Sequence, residues 1–107
     1  MLKSMHDIVN RTWRKDLPRD LRLSNAALGL VGECGEVVEH IKKHLFHGHP
    51  LNIQQILIEL GDVYYYLAAL ESELGVSREQ AELRVQEKLL ARYPDGFKVS
   101  DSVNRKI

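Results

Sequence analysis

Two acidic pairs, Glu33-x-x-Glu36 and Glu59-x-x-Asp62, lie inside two apolar segments of helical period. At about 100° per residue, positions i and i+3 project roughly 60° apart, so each pair points broadly to one side of its helix. Both pairs sit at the edge of an apolar stripe, where a carboxylate is costly unless something offsets its charge. Packed antiparallel, the two helices would bring the four carboxylates together and offer their oxygens to one or two cations. A hard divalent ion such as Mg²⁺ takes oxygen ligands and keeps some of its waters; Mn²⁺ is the natural substitute. Solvated surface acids are the competing explanation for either pair alone. A di-iron carboxylate bundle would use Glu-x-x-His on its helices, and no histidine here has a glutamate three residues before it.

Gly32, Gly35 and Gly61 adjoin these positions. A glycine inside a helix costs about 1 kcal/mol against alanine, and close approach of another helix or a ligand is the expected reason for accepting it. A second metal hypothesis comes from His40, His44 and His47, spaced i, i+4 and i+7, with His49 nearby; this pattern suits Zn²⁺ or Ni²⁺. The same cluster also reads as a polar helix end favoured by the C-terminal dipole.

The elements that must hold these groups are helices, since no segment sustains the alternation of a strand. The first is expected at about Lys3 to Arg14, ending before the Leu17-Pro18 breaker. The second should run from about Ser24 to His44, capped by Ser24 or Asn25. Its stripe is Leu23, Ala26, Ala27, Leu30, Cys34, Val37, Val38, Ile41 and Leu45. Asn52 is the expected N-cap of a third helix, about Ile53 to Leu74, with a stripe of Ile53, Ile56, Leu57, Leu60, Val63, Tyr64, Leu67 and Leu74. Gly75 stands at its C-cap. Ser77-Arg78-Glu79-Gln80 reads as a capping box opening a fourth helix that ends near Tyr93, and the tail from Asp95 has no clear period. The expected fold is an all-α helical bundle, two long central antiparallel helices with flanking helices, in a single domain of residues 1–107.

Formal net charge is zero, but it is unevenly spread. Residues 1–22 and 84–107 each carry six basic and three acidic side chains, whereas residues 33–73 carry seven acidic and two basic. An acidic centre with basic flanks suits a metal beside an anionic ligand, although ordinary solvated faces give similar counts. With 44% hydrophobic and 28% charged residues the chain reads as soluble and globular. No apolar run approaches a membrane span and no signal peptide is visible. Cys34, the only cysteine, is expected to pack in the core. The expected setting is the cytoplasm, with no membrane and no nucleic-acid polymer as partner.

The segments Gly29-Leu30-Val31-Gly32-Glu33-Cys34-Gly35-Glu36-Val37 and Ile58-Glu59-Leu60-Gly61-Asp62-Val63-Tyr64-Tyr65-Tyr66-Leu67 resemble the MazG-like nucleoside triphosphate pyrophosphohydrolases. The ending Lys88-Leu89-Leu90-Ala91-Arg92-Tyr93-Pro94-Asp95-Gly96-Phe97 is similar to that of small members, so the likeness covers about residues 20 to 97. It implies that Glu33, Glu36, Glu59 and Asp62 ligate Mg²⁺, that Lys88 and Arg92 touch the phosphates, and that Tyr66 lines the nucleotide pocket. Many MazG domains carry tandem glutamates where this chain has Gly32 before Glu33, which leaves four carboxylates here rather than five. The implied reaction is attack of a metal-activated water on the α-phosphorus of a nucleoside triphosphate, with Glu33 or Glu36 as general base, in a homodimer or homotetramer.

Trp13 and the Tyr64–Tyr66 run could stack on a base, although Tyr64 at helical spacing reads as core and Trp13 as packing or interface. No P-loop of the G-x-x-x-x-G-K-[ST] type is present, so phosphate binding must rest on metal and side chains. A base-specific dUTPase- or dCTPase-type enzyme, a nucleotide binder without turnover and a helical dimerisation module are the alternatives.

Overall fold

Side chains that satisfy free amides set three of the five helix starts among the described residues. A computed structural model describes residues 4–105. Helix α1, Met5–Thr12, begins at Ser4, whose hydroxyl accepts from the Asp7 amide at 3.2 Å. Helix α2 is Arg19–Phe46 and α3 is Ile53–Leu74. The Asn52 side chain caps α3 by accepting from the Gln55 amide at 3.0 Å, and Gly75 ends it at φ 68°. Helix α4, Arg78–Arg92, opens on a reciprocal box: Ser77 accepts from the Gln80 amide and Gln80 accepts from the Ser77 amide. A short α5, Val99–Val103, follows. Among the described residues there is no strand, only an isolated bridge between Pro94 and Gly96. The fold is all-α.

Two boundaries differ from expectation. Helix α2 begins five residues before Ser24, and Ser24 and Asn25 lie inside it. Pro18, read from sequence as a breaker, starts the helix: its φ is −58° and its carbonyl accepts from the Leu21 and Arg22 amides at 3.0 Å. A proline at a helix start loses no bond, because its missing N–H would have gone unpaired there. Helix α1 stops at Thr12 because Trp13 turns to extended backbone, and the expected start at Lys3 lies outside the described residues.

The chain divides into two compact units, Met1–Gly75 and Val76–Ile107. In the first, α2 and α3 form an antiparallel hairpin and α1 packs on α3. The fully buried centre is small: Val9, Ala26, Ala68 and Ala69, with Met5, Trp13, Tyr65 and Leu70 against it. Much of the expected core is therefore outside. Cys34 is exposed, Val38 and Leu45 are 62% and 65% exposed, and Tyr64 is half-exposed. A helix with one long neighbour covers only part of so wide a stripe, and the seam here runs along alanines instead.

A polar network ties the start of the unit to its end. The Glu73 carboxylate accepts from Trp13 Nε1 at 3.1 Å and from Arg22 Nε at 2.9 and 3.1 Å, while Arg22 Nη1 donates to the Leu17 carbonyl at 2.6 Å. The Thr12 and Tyr65 hydroxyls meet at 2.6 Å. In the second unit the rings of Tyr93 and Phe97 are 5.3 Å apart across the turn that Gly96 makes at φ 88°. No helix among the described residues is long and apolar enough to cross a membrane.

Candidate metal centre

Glu33 reaches from α2 toward Glu59 and Asp62 on α3, and one carboxylate oxygen from each lies within 4.8 Å of the others. Among the described residues these three are the one set of metal-ligating side chains whose donor atoms converge. Burial pushes the Glu33 carboxyl above its ordinary range, and the charges of Asp62, Glu59 and Glu36, with a hydrogen bond to Glu59, push it further. Three carboxylates held this close repel one another, and an all-oxygen donor set fits a hard divalent cation. Glu36 stands outside the trio, exposed one turn along α2, though near enough for its charge to act on Glu33.

Glu59 is held from two sides. Gln55 Nε2 donates to its Oε1 at 3.2 Å, and His40 Nε2 lies 3.7 Å from the same oxygen. Neither supporter was singled out for this role in the sequence. Gln55 stands four residues before Glu59, a helical-neighbour spacing that could have flagged it; the His40 contact crosses between helices and leaves no local trace. The histidines themselves do not gather into a metal set: His44 Nδ1 turns to the His49 carbonyl at 2.8 Å, and His40 turns to Glu59.

Tyr66, one turn after Asp62, lies in the field of the trio. Burial raises its phenol, and the charges of Glu33, Tyr65 and Asp62 add to this in that order. Its ring presses on the backbone of α2 at Gly29, where any Cβ would collide with the ring carbons. Tyr65 and Trp13 hold it edge-on, with centroids 5.3 and 6.2 Å away. The glycine that packing demands is thus Gly29. Gly32, Gly35 and Gly61, the ones expected to admit a neighbour, have open space at the Cβ position within this chain.

Lys88 and Arg92 lie on α4 in the second unit, where the Arg92 guanidinium is 5.9 Å from the Tyr93 ring centroid.

The class of protein is set by this arrangement: an all-α hairpin that carries a converging carboxylate trio across its two arms. Residues 22–97 match the MazG nucleotide pyrophosphohydrolase domain. The chain is also 34% identical over 87 residues to the Gene 37 protein of Mycobacterium phage L5, spanning 78% of this chain and 76% of that one. No solved structure matches. The chain belongs to the MazG nucleotide pyrophosphohydrolase family.

Proposed function

We propose that this chain, as one domain of residues 1–107, is a Mg²⁺-dependent enzyme that hydrolyses nucleoside triphosphates to monophosphates and pyrophosphate, clearing unwanted nucleotides. The observation that carries the proposal is the convergence of Glu33, Glu59 and Asp62 from two helices onto one point. These three would hold the ion, whose chemistry when bound is to neutralise phosphate oxygens and acidify a bound water. Glu33 or Glu36, the latter exposed beside the trio, would take that water's proton. The new bond forms between the water oxygen and the α-phosphorus, and the bridge to the β-phosphorus breaks. Lys88 and Arg92 would stabilise charge on the departing group. Tyr66 would line the nucleoside side of the site.

Leu28, Val31, Val38 and Leu45 on α2, with Ile53 and Leu57 on α3, are large apolar side chains left exposed. Assembly as a homodimer or homotetramer would cover them.

A panel of nucleoside triphosphates with Mg²⁺ or Mn²⁺, scored for pyrophosphate against orthophosphate, tests the activity. Pyrophosphate from several bases is the expected result, and release from one base only would favour a dUTPase- or dCTPase-type enzyme. Orthophosphate, or no product from any nucleotide, would overturn the proposal. Thermal stabilisation by nucleotide without product would favour a binder, and no binding a dimerisation module.

A further inference from the structure

The connection that closes the α2–α3 hairpin is folded back on α2. The His47 and His49 amides both donate to the Lys43 carbonyl, at 3.0 and 3.1 Å, and Gly48 takes φ 72° between them. The His49 carbonyl accepts from His44 Nδ1 at 2.8 Å. This leaves a cavity of about 260 Å³ lined by His40, Lys43, His49, Pro50 and Asn52. It has room for several waters, suited to a small hydrated ligand.

Its lining carries the Lys43 ammonium, the His49 imidazole and the Asn52 amide as donors, with the His40 ring at its edge toward Glu59. It also opens at the start of α3, the end of a helix that favours anions. The opposing features are weak. The C-terminus of α2 has the wrong sign, but its Lys43 carbonyl is already taken by two amides. Glu39 lies 3.7 Å from Lys43 Nζ in a pair that is nearly half exposed on both sides, a loose contact that an anion can displace.

His40 joins this cavity to the metal centre, because it lines the one and lies 3.7 Å from Glu59 of the other. Seven residues of helix, about 10 Å, separate it from Glu33. On the far side of the trio, Tyr66 rests on Gly29. Three chemistries therefore follow one another along the hairpin: an aromatic platform, the carboxylates, and a pocket of donors.

We propose that the pocket of His40, Lys43, His49 and Asn52 is the subsite for the β- and γ-phosphates, which leave together as pyrophosphate. The substrate then lies along the hairpin with its nucleoside toward Tyr66. The assignment rests on the proposed activity for its substrate, but its test does not depend on turnover.

The probe is inorganic pyrophosphate with Mg²⁺, titrated calorimetrically into the wild-type chain and into Lys43→Ala/His49→Gln. The wild type should bind, and the variant's Kd should be at least tenfold weaker. Affinity for a nucleoside monophosphate, which lacks the two outer phosphates, should stay within twofold. Lys43→Glu alone, a change at an exposed side chain, serves the same comparison should the double variant unfold. A variant that binds pyrophosphate within twofold of wild type overturns the assignment, as does a wild type that binds none. Equal loss for the monophosphate also overturns it. If no nucleotide is hydrolysed yet pyrophosphate binding is lost in the variant, the pocket stands as an anion site and only the proposed reaction falls.

Discussion

Gly29→Ala isolates the contact between α2 and Tyr66. Alanine is favoured over glycine inside a helix by about 1 kcal/mol, so a substitution that met no neighbour would stabilise the protein by that much. At Gly29 the new methyl would overlap the Tyr66 ring, and Tyr65 and Trp13 flank the ring and hinder its retreat. Overpacking of this kind costs about 1–3 kcal/mol, and the pinned ring puts the cost in the upper half of that range. The net expectation is a loss of about 1–2 kcal/mol, or roughly 5–15 °C in the unfolding midpoint for a domain of this size. Gly32→Ala is the control, since its Cβ has open space within the chain, and it should gain about 1 kcal/mol. Thermal unfolding by circular dichroism measures both. Trp13, the only tryptophan, should report the displaced ring through its fluorescence. In a Tyr66→Ala background the penalty of Gly29→Ala should vanish, because the two side chains act as one unit. If Gly29→Ala is as stable as Gly32→Ala, the close approach is not what fixes glycine there.

Glu33→Gln should raise the unfolding midpoint of the metal-free protein at neutral pH. The Glu33 carboxyl titrates above its ordinary 4.5 in the folded chain, so its favourable contribution is full below about that pH and is lost as pH rises through the folded value. Wild-type midpoints should fall across that window and those of Glu33→Gln less so, while Mg²⁺ should stabilise wild type far more; a glutamine variant less stable than wild type at neutral pH would contradict this. Glu73→Ala should cost about 2–4 kcal/mol in urea unfolding, because it strands the Arg22 guanidinium and the Trp13 N–H, both part-buried. Ser77→Ala should cost about 1 kcal/mol, seen as faster amide hydrogen exchange at the start of α4 with α2 and α3 unchanged.

Helix identity and the local caps were legible because their signals are local. Asn52, Gly75 and the Ser77–Gln80 box each act within one turn, and each stands where the spacing placed it. Pro18 was misread because a proline before a helix and a proline after one look alike without the neighbouring amides. The core was misplaced for a different reason. Periodicity shows which residues share a face, but how much of that face a partner covers is a tertiary quantity, so Cys34 and Tyr64 turned outward while Ala68 and Ala69 turned inward. Of the four carboxylates singled out, three converge and Glu36 stands beside them. Their spacing gave a shared side on each helix but not the rotation of one helix against the other.

The buried seam between the two arms lies away from the carboxylates. Ala26 lies seven residues before Glu33 and Ala69 seven after Asp62, so the seam of bare methyl groups sits two turns below the acids on both arms. The hairpin works like a pair of tongs, with the alanines as its pivot and the acids as its tips. A leucine at Ala26 or Ala68 would act as a shim at the pivot and widen the grip without altering a single tip. The bite of such tongs, and hence the size of cation they could admit, would then be tuned by side chains that have no chemistry of their own.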